Sequence, residues 1–127
     1  MDNSKAGSGS EPEIIERSRA YWSQRAKEYS ALHDASRHQE LRDAFRKLLR
    51  GFMPRDKGPH GQRRTRALDV GCGSGFMSLI LAELGCDVTA VDFSRDMLDE
   101  AKRNAARAGA ASIEFVQADV QRLAFEE

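Results

Sequence analysis

Apolar residues follow two rhythms along this chain. Between residues 66 and 127, three short runs at 67–70, 88–91 and 112–116 are too brief for helices and continuous enough for strands of a buried parallel sheet. Two helical segments separate them. In the first, Phe76, Met77, Leu79, Ile80, Leu81, Ala82 and Leu84 leave Ser78 and Glu83 as the only polar positions, which predicts a helix packed on most faces and stopped by Gly85. In the second, Ser94 is placed to cap and Gly109 to terminate. Met97, Leu98, Ala101, Ala105 and Ala108 share one face, and Asp99 and Arg103 are spaced to pair outside. Strands alternating with helices predict an α/β fold.

Upstream the period is helical. Ile15, Trp22, Ala26, Tyr29 and Leu32 recur at three- and four-residue spacings from about residue 13. From about residue 36, Leu41, Phe45, Leu48 and Phe52 repeat that pattern opposite Arg42, Asp43, Arg46 and Lys47, until Gly51 and Pro54 close the segment. The chain therefore divides into a polar Gly- and Ser-rich tail at 1–12 expected to be disordered, two N-terminal helices over 13–53, a basic loop at 54–65, and a domain at 66–127. The arginines of RRTR at 63–66 admit two readings, a phosphate-binding patch or a solvated basic loop, and a charge-neutral chain favours the second.

The densest chemistry lies where the first strand meets the first helix of this domain, in GCGSG at 71–75. Only small residues let the backbone turn sharply there and approach a ligand. About twenty residues on, Asp92 ends the second strand, and a glycine bend with a downstream acid forms the nucleoside-binding arrangement of βαβ folds, the carboxylate meeting ribose hydroxyls. Charge narrows the nucleoside. A dinucleotide needs GxGxxG and a pyrophosphate over the helix N-terminus, whereas this bend reads GxGxG and is preceded by Asp69, which repels phosphate and attracts an ammonium or a sulfonium. The bland alternative for the glycines is a bend without a ligand, and for Asp92 a helix cap or loop acid.

LDVGCGSG at 68–75, with VDFSRDML at 91–98 downstream, resembles the class I S-adenosylmethionine-dependent methyltransferases, and the similarity runs from about Tyr21 to the last residue. The resemblance implies a Rossmann-like, doubly wound parallel sheet and S-adenosyl-L-methionine as cofactor. It also implies site residues: Asp69, Gly71, Cys72, Gly73 and Gly75 at the methionine end, Asp92 on the ribose, and Phe93, Met97, Asp119 and Val120 around the adenine. Asp119 would accept from the adenine amino group and Val120 would be its backbone companion; Met97 reads equally well as core. YWSQRAKEY at 21–29 looks like the helix that covers the cofactor or substrate mouth in this family, where a ring over a sulfonium is a sensible contact. Packing is the competing account of Tyr21, Trp22 and Tyr29. No general base is identifiable, and the acceptor, metabolite or macromolecule, is left open.

Twenty basic and twenty acidic residues cancel, which gives no electrostatic ground for nucleic acid or membrane as the main partner. No apolar run is long enough to span a bilayer. Cys72 and Cys86 lack metal-type spacing and suggest a reducing, cytoplasmic setting; Cys72 fits the bend as a small inert residue better than as a reactive thiol. His33, His38 and His60 are scattered, with no metal or catalytic partner evident.

The family's sheet runs 3-2-1-4-5-7-6, and only strands 3-2-1 can be built from these residues. Strand 1 would then be an exposed apolar edge, so the chain is expected to be part of a longer enzyme, or to be completed by another chain or by self-association. Two other classes of function stay open, a non-catalytic nucleoside-binding or interaction module and, less favoured by the glycine spacing, an NAD-binding oxidoreductase half-domain.

Overall fold

A computed structural model of the chain describes residues 9–32, 37–54 and 64–122. The element order is α1 (Glu11–Leu32), α2 (Arg37–Phe52), β1 (Arg66–Val70), α3 (Phe76–Glu83), β2 (Asp87–Asp92), α4 (Arg95–Ala108) and β3 (Ile113–Gln117), with a 3-10 turn at Val120–Arg122. The strands form one parallel sheet in the order β1-β2-β3, with Val70 opposite Val91 and Val91 opposite Val116. Both crossovers are of the βαβ kind, so right-handed connections put α3 and α4 on one face. Helix α2 lies against α3, and α1 lies against α4.

Local cues account for the helix ends. Ser10 and Glu13 make half of a capping box, the Glu13 carboxylate accepting from Ser10 N at 2.8 Å, and Pro12 sits in the first turn where its missing N–H costs nothing. That cue, SEPE, starts α1 at Glu11, two residues before the expected boundary; residues 1–8 of the expected tail lie outside the described residues. Helices α3 and α4 both end in Schellman motifs. Gly85 N donates to Ala82 O and Cys86 N to Leu81 O, while Gly109 N and Ala110 N donate to Ala106 O and Ala105 O.

The core sits between sheet and helices, where Cys72, Ala90 and Leu98 pack with Ile113 and Phe115. Alternation along the strands puts Ala90, Ile113 and Phe115 on this side. Ile80, Cys86, Val88, Met97, Ala101 and Ala105 are buried around them.

Three expectations about faces are corrected. The covered ridge of α1 is Ile15, Arg19, Ser23 and Ala26, while Trp22 and Tyr29 remain 38% and 39% exposed. Small Ala26 and polar Ser23 allow close approach to α4, which the large rings would prevent. On α2, Arg42 and Arg46 turn inward to the Glu83 carboxylate of α3 beside Phe45, whose ring meets Phe76 edge-on at 6.0 Å. Leu41, Leu48 and Phe52 face outward. In β1, Leu68 and Val70 are each 46% exposed: they alternate with half-buried Ala67 and Asp69, point to the sheet face away from α3, and lie on a strand that pairs on one side only among the described residues. The apolar run is real and its burial is not.

One charge pairing also differs. Arg103 bonds Glu100 and not Asp99, using the i,i+3 spacing. Arg64, within the basic run, donates to Gly85 O at 3.2 Å and pairs with Asp87 at 3.3 Å. His33, His60 and the remainder of the loop at 55–63 lie outside the described residues.

Candidate functional site

The bend after β1 is held to β2 by its own backbone. Gly71 N and Cys72 N both donate to Val91 O, at 2.8 and 3.0 Å, and Gly75 N returns to Cys72 O at 2.9 Å. Gly75 is where only glycine serves. Its φ is +89°, and a Cβ there would meet the Ala101 Cβ at 3.2 Å, so α3 starts in close contact with α4. Asn104 on α4 locks the same crossing by donating Nδ2 to Ser74 O at 3.0 Å. Space is left over Gly71, where an added Cβ would meet nothing within 4 Å, while one on Gly73 would approach Tyr29 Cε1 at 3.7 Å. Of the three aromatic candidates, Tyr29 therefore stands at the bend. It meets Trp22 edge-on at 6.0 Å, and Tyr21 lies farther along that row under the Arg25 guanidinium, 4.6 Å from the ring centre.

Asp92 is buried at the end of β2, and both of its oxygens are used. Oδ2 accepts from Gly73 N and Oδ1 from Ser94 N, each at 2.9 Å. Such bonds fix the plane of the carboxylate, and a carboxylate still has lone pairs to offer a hydroxyl. Asp69, half-buried on β1, accepts from Ser78 Oγ at 2.6 Å. The acids flanking the bend are thus both oriented, one by backbone and one by a side chain. Cys72 lies among them with its thiol pushed up to about 12, by burial first and then by the charges of Asp92 and Asp69. A thiol so disfavoured as an anion is no nucleophile.

The remaining candidates spread outward from Asp92. Phe93 is half-buried, its carbonyl accepting from Gln117 Nε2 at 3.2 Å and its ring 6.0 Å from the Arg19 guanidinium. Met97 is 2% exposed and its N–H donates to the Ser94 hydroxyl at 3.3 Å, so its side chain belongs to the packed interior in this arrangement. Ala118 N donates to Asp92 O at 3.1 Å, which brings the end of β3 to that of β2. There Asp119 caps the 3-10 turn through Gln121 N at 3.0 Å, and Val120 is exposed.

Direct bonds thus join the bend to Asp92 and Asp92 to the segment carrying Asp119, while Asp69 is tied in through Ser78. Sequence reasoning missed three contributors. Ser78 stood out as a polar position on an apolar helix, which was the signal for it. Ser94 was legible as a cap, but not as a donor to Asp92 or as the partner of Ser23 on α1, 3.2 Å away. Nothing in the spacing of Ser23 announces that contact across 71 residues.

Residues 67–127 match a family described as a methyltransferase domain. Among curated proteins, the chain is 36% identical over 86 residues to a malonyl-[acyl-carrier protein] O-methyltransferase of Enterobacter lignolyticus, covering 68% of this chain and 30% of that one. It is 35% identical over 101 residues to a ubiquinone biosynthesis O-methyltransferase of Methylocella silvestris, covering 76% and 39%. The chain thus spans well under half the length of these relatives. Among solved structures, the DhpI–SAM–HEP complex superposes with a TM-score of 0.60 at 27% identity, over 93% of this chain and 49% of that one.

Proposed function

This chain belongs, through residues 67–127, to the class I S-adenosylmethionine-dependent methyltransferases, and from that premise we propose that the bend and the ends of β2 and β3 bind S-adenosylmethionine for methyl transfer to an acceptor. The observation that carries this reading is the pair of oriented acids. Asp92 and Asp69 flank a glycine bend to which, among the described residues, no Lys or Arg side chain bonds. Carboxylates suit ribose hydroxyls, an ammonium and a sulfonium, and repel a diphosphate. The residues present therefore fit this cofactor and argue against a dinucleotide.

In this reading Gly71 and Gly73 offer backbone to the ligand, Asp69 faces its ammonium, and Asp92 accepts from the ribose hydroxyls with its free lone pairs. Phe93, Met97, Asp119 and Val120 form the adenine end, where contact with Met97 requires the packing over it to open, given its burial. When bound, the cofactor supplies a methyl group on a cationic sulfur. The chain's part is to hold that group in line with an acceptor, which requires positioning and no covalent intermediate. The free thiols of Cys72 and Cys86 agree with a reducing, cytoplasmic setting. No helix among the described residues is long and apolar enough to cross a membrane.

Isothermal calorimetry tests the reading. S-adenosylmethionine and its demethylated product are expected to bind, and NAD is not; binding of NAD alone overturns it. A second reading rests on β1. Its outer edge pairs with no strand among the described residues and its Leu68 and Val70 are exposed on one sheet face, which supports continuation of the sheet by a further segment or a second copy. Light scattering on the purified chain is expected to give a mass above that of one chain, and a compact stable monomer would reject self-completion.

A further inference from the structure

Helix α3 is apolar almost throughout, yet its third residue is a serine with no exposed surface. A buried hydroxyl needs a partner, and a serine inside a helix commonly finds one in the carbonyl four residues back. Here that carbonyl, on Ser74, takes the Asn104 amide instead. Ser78 Oγ reaches across to β1 and donates to Asp69 Oδ2 at 2.6 Å. Asp69 Oδ1 accepts no hydrogen bond among the described residues, so one oxygen is held and the other is left to a ligand. We infer that Ser78 is a positioning residue that aims the Asp69 carboxylate at the cationic amino-acid arm of the ligand, an inference that rests on the cofactor reading above.

The geometry separates this role from simple packing. Ser78 lies behind Asp69 on a helix, not on the open side of the bend, so it orients the acid without touching the ligand. With the hydroxyl removed, the Asp69 carboxylate remains but loses the bond that fixes its plane. The loss then falls on whichever part of the ligand Asp69 meets and spares the ribose and adenine, which depend on Asp92 and residues beyond it.

Two ligands read this selectively. S-adenosylhomocysteine and methylthioadenosine share adenine, ribose and a neutral thioether, and only the first carries the ammonium-bearing arm. In calorimetry with the full chain, Ser78→Ala is expected to weaken S-adenosylhomocysteine about tenfold, the scale of a lost bond to a charged group, and methylthioadenosine by less than about twofold. Ser78→Thr, which keeps the hydroxyl, restores the first affinity. Equal weakening of both ligands, or no weakening of either, overturns the positioning role while leaving the cofactor reading intact. Failure of the unsubstituted chain to bind either ligand overturns both. Should Ser78→Ala lose its cooperative urea transition, Ser78→Cys supplies the same readout with a near-isosteric side chain and a weak donor.

Discussion

The ends of β1 and β2 each carry one carboxylate, and the two are held in different ways. Asp92 takes two backbone N–H groups, from Gly73 and Ser94, so its orientation follows from the path of the chain and no neighbouring side chain can be substituted to release it. Asp69 takes a single hydroxyl, from Ser78, and its orientation rests on one removable atom. The difference teaches which acid holds up the fold around it. Asp92 helps fold the bend it serves, and Asp69 is served by a helix that is already formed.

The largest expected effect is chemical and reads both acids at once. With its thiol raised from 9.0 to about 12, Cys72 should alkylate at pH 8 roughly a thousand times more slowly in the folded chain than in urea. Peptide-resolved mass spectrometry distinguishes it from Cys86. Burial is the leading cause, and Asp92 contributes more than Asp69. Asp92→Asn should therefore speed alkylation more than Asp69→Asn does, and the reverse order would break the comparison. The sign for stability follows from the raised value. The contribution is full below about pH 9, and it is lost as pH climbs toward about 12, because the unfolded thiol ionises first. Cys72→Ala should flatten that decline in urea titrations.

Next in size is the direct test. Asp92→Ala strands two inward N–H groups and should cost about 3 kcal/mol in urea denaturation, whereas Asp69→Ala leaves one hydroxyl without its acceptor and should cost about 1 kcal/mol. Equal costs would show that backbone and side-chain tethering are equivalent here. The junction between the two regions comes third. Gly75→Ala places a Cβ 3.2 Å from that of Ala101 at a φ of +89°, with an expected loss of about 2 kcal/mol. Adding Ala101→Gly should return the contact part and leave the backbone part.

The contrast between these strand ends and the N-terminal helices also explains what the sequence disclosed. Everything from Arg66 to Gln117 is written in local signals: a glycine bend, Ser94 as cap, Gly85 and Gly109 as stops, apolar runs of strand length. Each acts within a few residues of itself, so the elements and the 3-2-1 order were legible. The faces of α1 and α2 are set by partners dozens of residues away. Arg42 and Arg46 look like a solvated face until Glu83 is placed opposite them, and Ser23 looks idle until Ser94 arrives. Amphipathic pattern alone favoured the large apolar side, which here is turned outward at Leu41, Leu48 and Phe52. In the candidate site, Asp92 and the bend were readable because motif and strand end coincide. The Ser78 bond was not, since hydropathy records an exception on a helix and not the direction in which it points.

Glu83 supplies the smallest expected effect and a third way of holding a carboxylate. It is gripped by two guanidinium groups, from Arg42 and Arg46, yet a third of its side chain stays open to solvent. Exposed charges in water repay little of the side-chain freedom they give up, and salt screens what remains. Glu83→Gln should therefore lower the urea midpoint only slightly at low ionic strength, and the difference should vanish in 1 M salt, where the screening length falls to about 3 Å. Asp92→Ala should stay as costly in salt as without it, because its partners are uncharged N–H groups shielded from ions. A Glu83 effect that matched Asp92 in size or persisted in salt would mean that α2 is held by its arginines and not by the Phe45 contact with Phe76, and would place this helix among the parts on which the bend depends.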